Sequence, residues 1–353
     1  MIDQTNPPIF DGHNDVLTKL TSKKNPKPET YFLNGDSGHI DLPRSKLGGF
    51  AGGFFAVWIP SPASSSFSYE DMDKARYDIA LPPPVAQADA LKIAISQSAC
   101  LLRLEREGAL TICTTAAQLK TTIEAGEIAA IFHIEGAEAI DPDFEALDLF
   151  YAAGLRSLGP VWSRPTIFAN GVPFRYPSSP DTGEGLTDIG KELVRACNQR
   201  RIMLDLSHIN ERGFWDIAKL SDSPLVATHS NAHSICPTAR NLTDKQLEAI
   251  RDSEGMVGLN FAVAFLREDG RMTADTSIEF MMRHIDHLIS ILGEDHVGFG
   301  SDFDGAVVPK PISDVAGLPV LRKAMRDHGY NEALMEKLCY KNWLRVLEKT
   351  WGA

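Results

Sequence analysis

Two residues near the N-terminus have the types and the spacing of a metal-binding pair. His13 and Asp15 close an apolar segment that begins at Ile9. Side chains at positions i and i+2 of a β-strand point to the same side, so this imidazole and this carboxylate could bind one ion together. Considered alone, the pair is explained equally well as a strand end whose Asp caps the following turn.

Three further polar residues end apolar segments in the same way, namely Glu135, His208 and His229. Barrel enzymes carry their catalytic residues at the carboxyl ends of buried strands. Three imidazoles and two carboxylates suit Zn²⁺, and five ligands serve two ions if Glu135 bridges them. Two ions about 3.5–4 Å apart would deprotonate a shared water and give a hydroxide nucleophile near neutral pH.

A sixth residue, Asp302, ends the last apolar segment of the chain. If the first and last strands are neighbours in a closed barrel, Asp302 lies beside His13 and Asp15. It would then orient the water and carry its proton to the leaving group. Together, these residues predict hydrolysis of an amide or an ester at a binuclear metal site.

The apolar segments that must position these residues are consistent with eight strands, at 9–11, 50–59, 128–134, 155–161, 202–206, 225–227, 256–261 and 297–299. Helical patterns alternate with them, including one that opens with a capping box of Thr243 and Gln246 and a last one over 334–347. Such alternation indicates a parallel sheet covered on both faces. Eight units favour an α/β fold of the (β/α)8 TIM type over a doubly wound sheet. A ninth candidate strand, 110–113, is expected to be peripheral.

The composition is that of an ordinary globular protein, with 353 residues of which 43% are hydrophobic and 23% are charged. We predict a single metal-dependent hydrolase barrel domain over residues 1–353. The segments 18–46 and 60–87 are rich in Pro, Ser and Asn and are expected to form long loops over the C-terminal face of the barrel. The net charge of −12 argues against a nucleic-acid partner.

Several features predict a cytoplasmic protein without a membrane partner. Five cysteines without a C-x-x-C pair suggest reduced thiols. The N-terminus has no signal-peptide pattern, and no apolar stretch is long enough to span a bilayer. The final helix, with Trp343 and Trp351, offers either a core element or the interface of a homodimer.

The segments around these polar residues form a series of motifs: Asp11-Gly12-His13-Asn14-Asp15, Ile134-Glu135-Gly136, Asp205-Leu206-Ser207-His208, His229-Ser230-Asn231-Ala232, Arg240-Asn241 and Gly300-Ser301-Asp302-Phe303-Asp304-Gly305. In this order they resemble the membrane (renal) dipeptidase family, binuclear zinc peptidases with an amidohydrolase-like barrel. The resemblance covers the chain from about Phe10 to Gly305. Each motif is weak alone, but the combination is highly specific.

The resemblance implies five ligands for two zinc ions, with His13 and Asp15 on one ion, His208 and His229 on the other, and Glu135 bridging them. It also implies that Asp302 is the acid/base and that Arg240 binds the C-terminal carboxylate of a dipeptide, which a guanidinium can hold bidentately. Without the resemblance, a surface salt bridge between Arg240 and Asp244 would be the simpler interpretation. Because the family includes members that accept a D-residue at the C-terminal position, L-Xaa-D-Xaa dipeptides are predicted substrates.

The sequence departs from the family at one position. The family usually has a His after the fourth strand that helps to polarise the scissile carbonyl, and Trp162 stands in its place. Trp offers an N–H donor but cannot become a cation. Either Trp162 or Arg164 takes over that role in substrate binding, or the metals alone stabilise the oxyanion. If Arg164 polarises the carbonyl, Arg164→Ala should lower turnover more than it raises KM. In the alternative interpretation, Trp162 is a wall of the pocket and Arg164 forms a salt bridge within a loop.

The residues alone leave other functions open. The same metal set could open a lactam or lactone or hydrolyse an N-acyl amino acid, and an inactive relative could serve as a binding protein. Co²⁺ or Mn²⁺ can occupy similar sites. A lactonase has little use for Arg240, so this residue separates esters from dipeptides with a free carboxylate.

Overall fold

Eight parallel strands close into a barrel at the centre of the computed structural model, which describes residues 6–22, 27–35, 38–62 and 68–352. These ranges contain eleven strands: β1 (Ile9–Asn14), β2 (Phe50–Trp58), β3 (Tyr77–Ile79), β4 (Thr111–Ile112), β5 (Ala129–Glu135), β6 (Leu155–Gly159), β7 (Phe174–Tyr176), β8 (Met203–Leu204), β9 (Val226–Ala227), β10 (Met256–Asn260) and β11 (Val297–Gly300). All except β3, β4 and β7 belong to the barrel, in the order β1–β2–β5–β6–β8–β9–β10–β11. The predicted TIM-type fold is confirmed, and the ninth candidate strand is the peripheral β4, which pairs with β5.

The helices that surround the barrel within the same ranges are α1 (Val16–Ser22), α2 (Glu29–Asn34), α3 (Leu42–Gly48), α4 (Gln87–Arg106), α5 (Ala116–Glu124), α6 (Glu145–Ala152), α7 (Asp188–Arg200), α8 (Glu211–Leu220), α9 (Asp244–Asp252), α10 (Val263–Leu266), α11 (Glu279–Leu292), α12 (Leu318–Asp327), α13 (Glu332–Glu336) and α14 (Asn342–Trp351). The start of α9 confirms the predicted capping box. The Thr243 hydroxyl accepts a bond from the backbone N–H of Gln246, and the Gln246 side chain accepts one from the backbone N–H of Thr243. Both satisfy donors that a helix start leaves unpaired.

Two contacts between strands matter most for the site. The first and last strands are neighbours: Asp11 pairs with Phe299, and the Asp302 N–H donates to the His13 carbonyl at 3.0 Å. Strands β8 and β9 close the barrel through an isolated bridge between Asp205 and Val226. The predicted proximity of the two ends of the chain is therefore confirmed.

Trp343 packs against four strands of the barrel. Its indole is fully buried, and its Nε1 donates to the Phe299 carbonyl at 3.1 Å. A Cβ atom at Gly12 would lie 2.5 Å from Trp343 Cζ2, so only glycine fits there. Trp351 is also buried. Both tryptophans are thus core residues, and the homodimer stays a prediction.

The predicted last helix is present, but it contains a π-helical turn that the pattern does not predict. Helix α13 passes into a π-helical turn at Lys337–Lys341 before α14 begins. Such a turn inserts an extra residue into the helical repeat and rotates the side chains that follow. Here, the residue directly after the turn, Asn342, donates to the Val297 carbonyl at 2.8 Å, which fixes α14 against β11.

Of the two predicted long loops, the structure agrees with part of one and contradicts the other. Part of 60–87 covers the barrel, because Tyr69 and Met72 line its cavity and β3 pairs with β7. The predicted loop over 18–46 is wrong, since much of this segment folds into α1, α2 and α3. Helix α3 has the N-cap Asp41 and the left-handed C-cap Gly49. Residues 23–26, 36–37 and 63–67 lie outside the described ranges.

The five cysteines are buried and free of disulfides. Across the described ranges, every helix is too short or too polar to cross a membrane.

Candidate active site

The predicted metal-binding side chains meet at the carboxyl ends of the barrel strands. His13 lies in β1 and Glu135 ends β5, whereas His208 and His229 follow β8 and β9. All four are buried, as is Asp15, which is 6% exposed. In a parallel barrel the carboxyl ends of all strands lie on one side, so residues far apart in sequence converge there.

Glu135 lies between two groups of side chains. Its Oε1 is 3.0 Å from His208 Nε2 and 3.3 Å from His229 Nε2. Its Oε2 is 3.6 Å from His13 Nε2, which is itself 3.3 Å from Asp15 Oδ2. Each oxygen of one carboxylate thus faces a separate set of possible ligands.

The residues fit divalent cations. Both ring nitrogens of His13 are buried without a hydrogen-bond partner among the described residues. The Nε2 atoms of His208 and His229 lie 3.1 Å apart and converge on the same Glu135 oxygen. Imidazole and carboxylate are ligands that Zn²⁺ and related metals prefer, and a carboxylate can bridge two ions.

The electrostatics of the site also favour a cation. Burial opposes a charge on His13, but the carboxylates of Glu135 and Asp15 outweigh this and raise its pKa to about 10. Burial, together with the charges of Arg240 and His13, holds the pKa values of His208 and His229 well below the usual range. These two imidazoles are therefore neutral, which is the form that binds metal.

Asp302 lies beside this cluster in a strained conformation. Its φ of 59° is in the left-handed region, which costs a non-glycine residue about 1–3 kcal/mol. Its Oδ2 accepts a hydrogen bond from Asn260 Nδ2 at 2.9 Å, and burial raises the pKa of the carboxyl. A buried carboxyl with a raised pKa that lines the cavity suits proton transfer.

Asn260 is a site residue that the strand-end pattern of His, Asp and Glu residues does not include. It ends β10 as the predicted site residues end their strands, and its Oδ1 accepts from the backbone N–H of Ala262 at 2.6 Å. This bond fixes the amide so that its NH₂ group faces Asp302. The strand-end position was the available signal.

Arg240 is buried next to the cluster and is 3% exposed. Its guanidinium donates to Ser230 Oγ and to the His229 carbonyl, both at 3.0 Å, and lies 5.7 Å from the centre of the Phe265 ring. Asp244, the alternative partner, instead binds His287 at 2.9 Å. The surface salt bridge is therefore wrong, because Arg240 is buried beside the cluster and Asp244 has another partner.

A cavity of about 380 Å³ opens over the cluster, and aromatic rings form one wall of it. Trp58 contacts Trp162 at 5.1 Å between ring centres, Trp162 contacts Phe174 at 5.6 Å, and Phe174 stacks on Phe265 at 6.1 Å. The wall thus runs from the end of β2 to Arg240. Trp162 lies in it as a lining residue, 6.0 Å from the His208 ring.

Arg164 lies behind this wall and is fully buried. Its guanidinium donates to Glu138 Oε1 at 2.8 Å, to the Ile59 carbonyl at 2.7 Å and to Ser61 Oγ at 3.0 Å. The three bonds come from Nε, Nη2 and Nη1 respectively, so every nitrogen of the guanidinium has a partner. In this conformation Arg164 joins the ends of β2 and β5 and supports Trp162, which favours the salt-bridge interpretation over oxyanion binding.

We expect Arg164→Ala to lower the free energy of unfolding by about 3–5 kcal/mol, because it leaves the Glu138 charge buried without its partner. Burial already raises the pKa of Glu138, and Arg164 opposes that rise. Without Arg164 the folded pKa lies further above the unfolded value, so stability is lost as pH rises through that interval. Urea unfolding at pH 5 and pH 8 measures both effects.

Arg212→Ala is the matched control, since the exposed side chain of Arg212 pairs with Asp181 at 3.5 Å and should contribute less than about 1 kcal/mol. An Arg164→Ala protein with an unchanged urea midpoint and reduced turnover would instead support the oxyanion role.

A TIM-type barrel with histidine and carboxylate side chains gathered at the carboxyl ends of its strands is an architecture of metal-dependent hydrolases. The sequence model of one family, membrane dipeptidase (Peptidase family M19), matches residues 4–351. The chain therefore belongs to the membrane dipeptidases, peptidase family M19, and is a metallo-dipeptidase, as the motifs predicted.

Two solved structures of similar proteins agree with this assignment. A metallo peptidase from Rhodobacter sphaeroides, solved with a phosphinate mimic of the dipeptide L-Ala-D-Ala, is 56% identical, with a TM-score of 0.95 over 98% of this chain and 99% of that one. The dipeptidase AC, a family M19 metallo peptidase, is 57% identical, with the same TM-score and coverage. A Klebsiella pneumoniae protein from the pqqA 5' region is 49% identical over 74% of this chain and 98% of its own length.

Proposed function

We propose that the chain hydrolyses L-Xaa-D-Xaa dipeptides with two Zn²⁺ ions. His13 and Asp15 would hold one ion, His208 and His229 the other, and Glu135 both. The observation that carries this proposal is the position of Glu135, whose two oxygens face the two sets separately at 3.0 to 3.6 Å. The L,D preference is supported by the L-Ala-D-Ala mimic bound to the Rhodobacter sphaeroides protein.

Each side chain around the cluster has a role in this reaction. When bound, the metal pair would acidify water and polarise the scissile carbonyl. Asp302 accepts the proton of the attacking water and delivers it to the nitrogen of the leaving amine, while Asn260 holds the carboxylate in place. Arg240 binds the C-terminal carboxylate of the dipeptide through its guanidinium. The aromatic wall excludes water from the bound peptide.

Metal analysis of the purified enzyme, paired with a screen of L,L-, L,D- and D,D-dipeptides, tests the proposal. We expect two zinc equivalents per chain and the highest kcat/KM for L,D-dipeptides. One equivalent, another metal with higher activity, or a preference for L,L-dipeptides would each refute the corresponding part.

Arg240→Ala should raise KM by about tenfold to 150-fold with a smaller change in kcat, since hydrogen bonds to a charged group contribute roughly 1.5–3 kcal/mol. The effect should appear with dipeptides that have a free C-terminal carboxylate. It should be much smaller with the same dipeptides amidated at the C-terminus, which the wild type should bind weakly. Steady-state kinetics on both substrate series measure the difference.

Arg240 also touches the backbone of His229, so the metal content of the variant must be measured. Arg212→Ala serves as a charge-matched control on the surface. Unchanged kinetics in Arg240→Ala at full metal occupancy would exclude Arg240 as the residue that binds the C-terminal carboxylate.

A further inference from the structure

The Asp205 carboxylate lies close to the proposed metal ligands and accepts three hydrogen bonds. Its Oδ1 accepts from the backbone N–H groups of Ser207 at 3.0 Å and Thr228 at 2.9 Å. Its Oδ2 accepts from the Thr228 hydroxyl at 2.6 Å. The residue is 1% exposed. Three donors at hydrogen-bond distance favour the ionised carboxylate, which can only accept.

The position of one hydrogen follows from this arrangement. The Thr228 hydroxyl carries a single hydrogen and donates it to Asp205. Thr228 Oγ1 is also 2.8 Å from His229 Nδ1, so in that contact the oxygen accepts and Nδ1 carries the proton. Nε2 of His229 is then unprotonated, and it is this nitrogen that faces Glu135 Oε1 at 3.3 Å.

We propose that Asp205 and Thr228 are positioning residues that hold His229 in the tautomer that binds metal through Nε2. This inference rests on the proposed metal site. A histidine whose tautomer and ring orientation are already fixed binds without rearrangement, and such supporting contacts contribute about 10–100-fold in metal affinity.

His208 is held differently. Its Nδ1 lies 2.9 Å from Ser163 Oγ, a hydroxyl that can donate or accept in that contact. The Ser163 contact therefore leaves the tautomer of His208 open, whereas the carboxylate of Asp205 determines that of His229. We expect the effect of Asp205 to concentrate on the metal position that His229 serves.

The informative variant is Asp205→Asn, which preserves shape and reverses one hydrogen bond. With the amide nitrogen facing Thr228, the side chain donates to Oγ1, so the hydroxyl must donate to His229 Nδ1. The imidazole proton then moves to Nε2 and blocks the metal. We expect one of the two Zn²⁺ equivalents to bind about 10–100-fold more weakly in competition with a chelator.

Thr228→Val and Thr228→Ser form a matched pair that does not depend on the folding of the Asp205 variant. Thr228→Val removes the hydroxyl at nearly constant shape and should weaken one equivalent in the same way. Thr228→Ser keeps the hydroxyl and should retain wild-type affinity. In the Co²⁺-loaded enzyme, the visible absorption of one ion should change in Thr228→Val but not in Thr228→Ser.

The outcomes separate this inference from the proposed function. Wild-type Zn²⁺ affinity in both Asp205→Asn and Thr228→Val, with a lower urea midpoint, would mean that the pair only supports the fold. That result overturns the inference and leaves the binuclear site intact. A wild-type enzyme without two bound zinc ions refutes both.

Discussion

Glu135→Gln should lose its metal ions and more than about 10³-fold in turnover, because removal of a key electrostatic group from an active site typically costs 10²–10³-fold and here both metal positions are affected. Gln offers one neutral oxygen where Glu135 offers two charged ones. His13 then loses its contact with a carboxylate oxygen on one side, or His208 and His229 lose theirs on the other. The metal content per chain and the turnover rate should both decrease.

The same variant should not unfold the protein. Burial raises the pKa of Glu135 well above its usual range, so in the metal-free state ionisation of this carboxyl costs free energy that a neutral amide does not. We expect metal-free Glu135→Gln to be at least as stable in urea as metal-free wild type. A variant that keeps two ions would exclude the bridging role.

Glu138→Gln is the control for Glu135→Gln, three residues further along and equally buried. It removes the partner of Arg164, whose Nη2 lies 2.7 Å from Glu138 Oε1. We expect it to lower stability and keep both metal ions, the reverse of Glu135→Gln.

Asp302→Asn should lower kcat by about 10²–10⁴-fold, the contribution of a positioned acid/base, while two metal ions stay bound and KM changes little. An amide of the same shape can still accept the bond from Asn260 Nδ2 but cannot take or give the proton. Pre-loaded enzyme, assayed for zinc and for steady-state kinetics, separates loss of proton transfer from loss of metal.

Asp304→Asn is the comparison for this variant. It removes a carboxylate two residues away whose Oδ1 accepts from the His39 N–H at 2.7 Å, without touching the bond between Asn260 and Asp302. We expect a much smaller decrease in kcat. Equal losses in the two variants would mean that the site needs negative charge rather than a proton carrier at Asp302.

The strand-end pattern predicts which side chains converge, because barrel topology alone brings the carboxyl ends of the strands together. Five buried residues from four strands converge in the structure as the motifs predicted. Asn260 also ends a strand, but its neutral amide is not one of the His, Asp and Glu side chains that make up the pattern. The role of Asn260 depends on its hydrogen bond to Asp302, which lies 42 residues away in sequence.

The sequence offered a salt bridge as one role of Arg164, but its partners could not be predicted, because they come from different connections of the barrel. Glu138 is 26 residues away and the Ile59 carbonyl 105 residues away. No local pattern encodes such contacts. The π-helical turn before α14 could not be predicted from the sequence either. Helical periodicity carries no information on how Trp343 packs against Gly12.

The contact through which β8 and β9 close the barrel affects the stability of the fold. These strands meet through the bridge of Asp205 and Val226 and the bond from the Leu206 N–H to the Val226 carbonyl at 2.8 Å. His208 and His229 follow the two sides of this boundary. Any ion held by both histidines would be a cross-link across a contact that has a single bridge between the two strands. A substitution that weakens binding of such an ion should therefore also lower the resistance of the protein to unfolding and proteolysis.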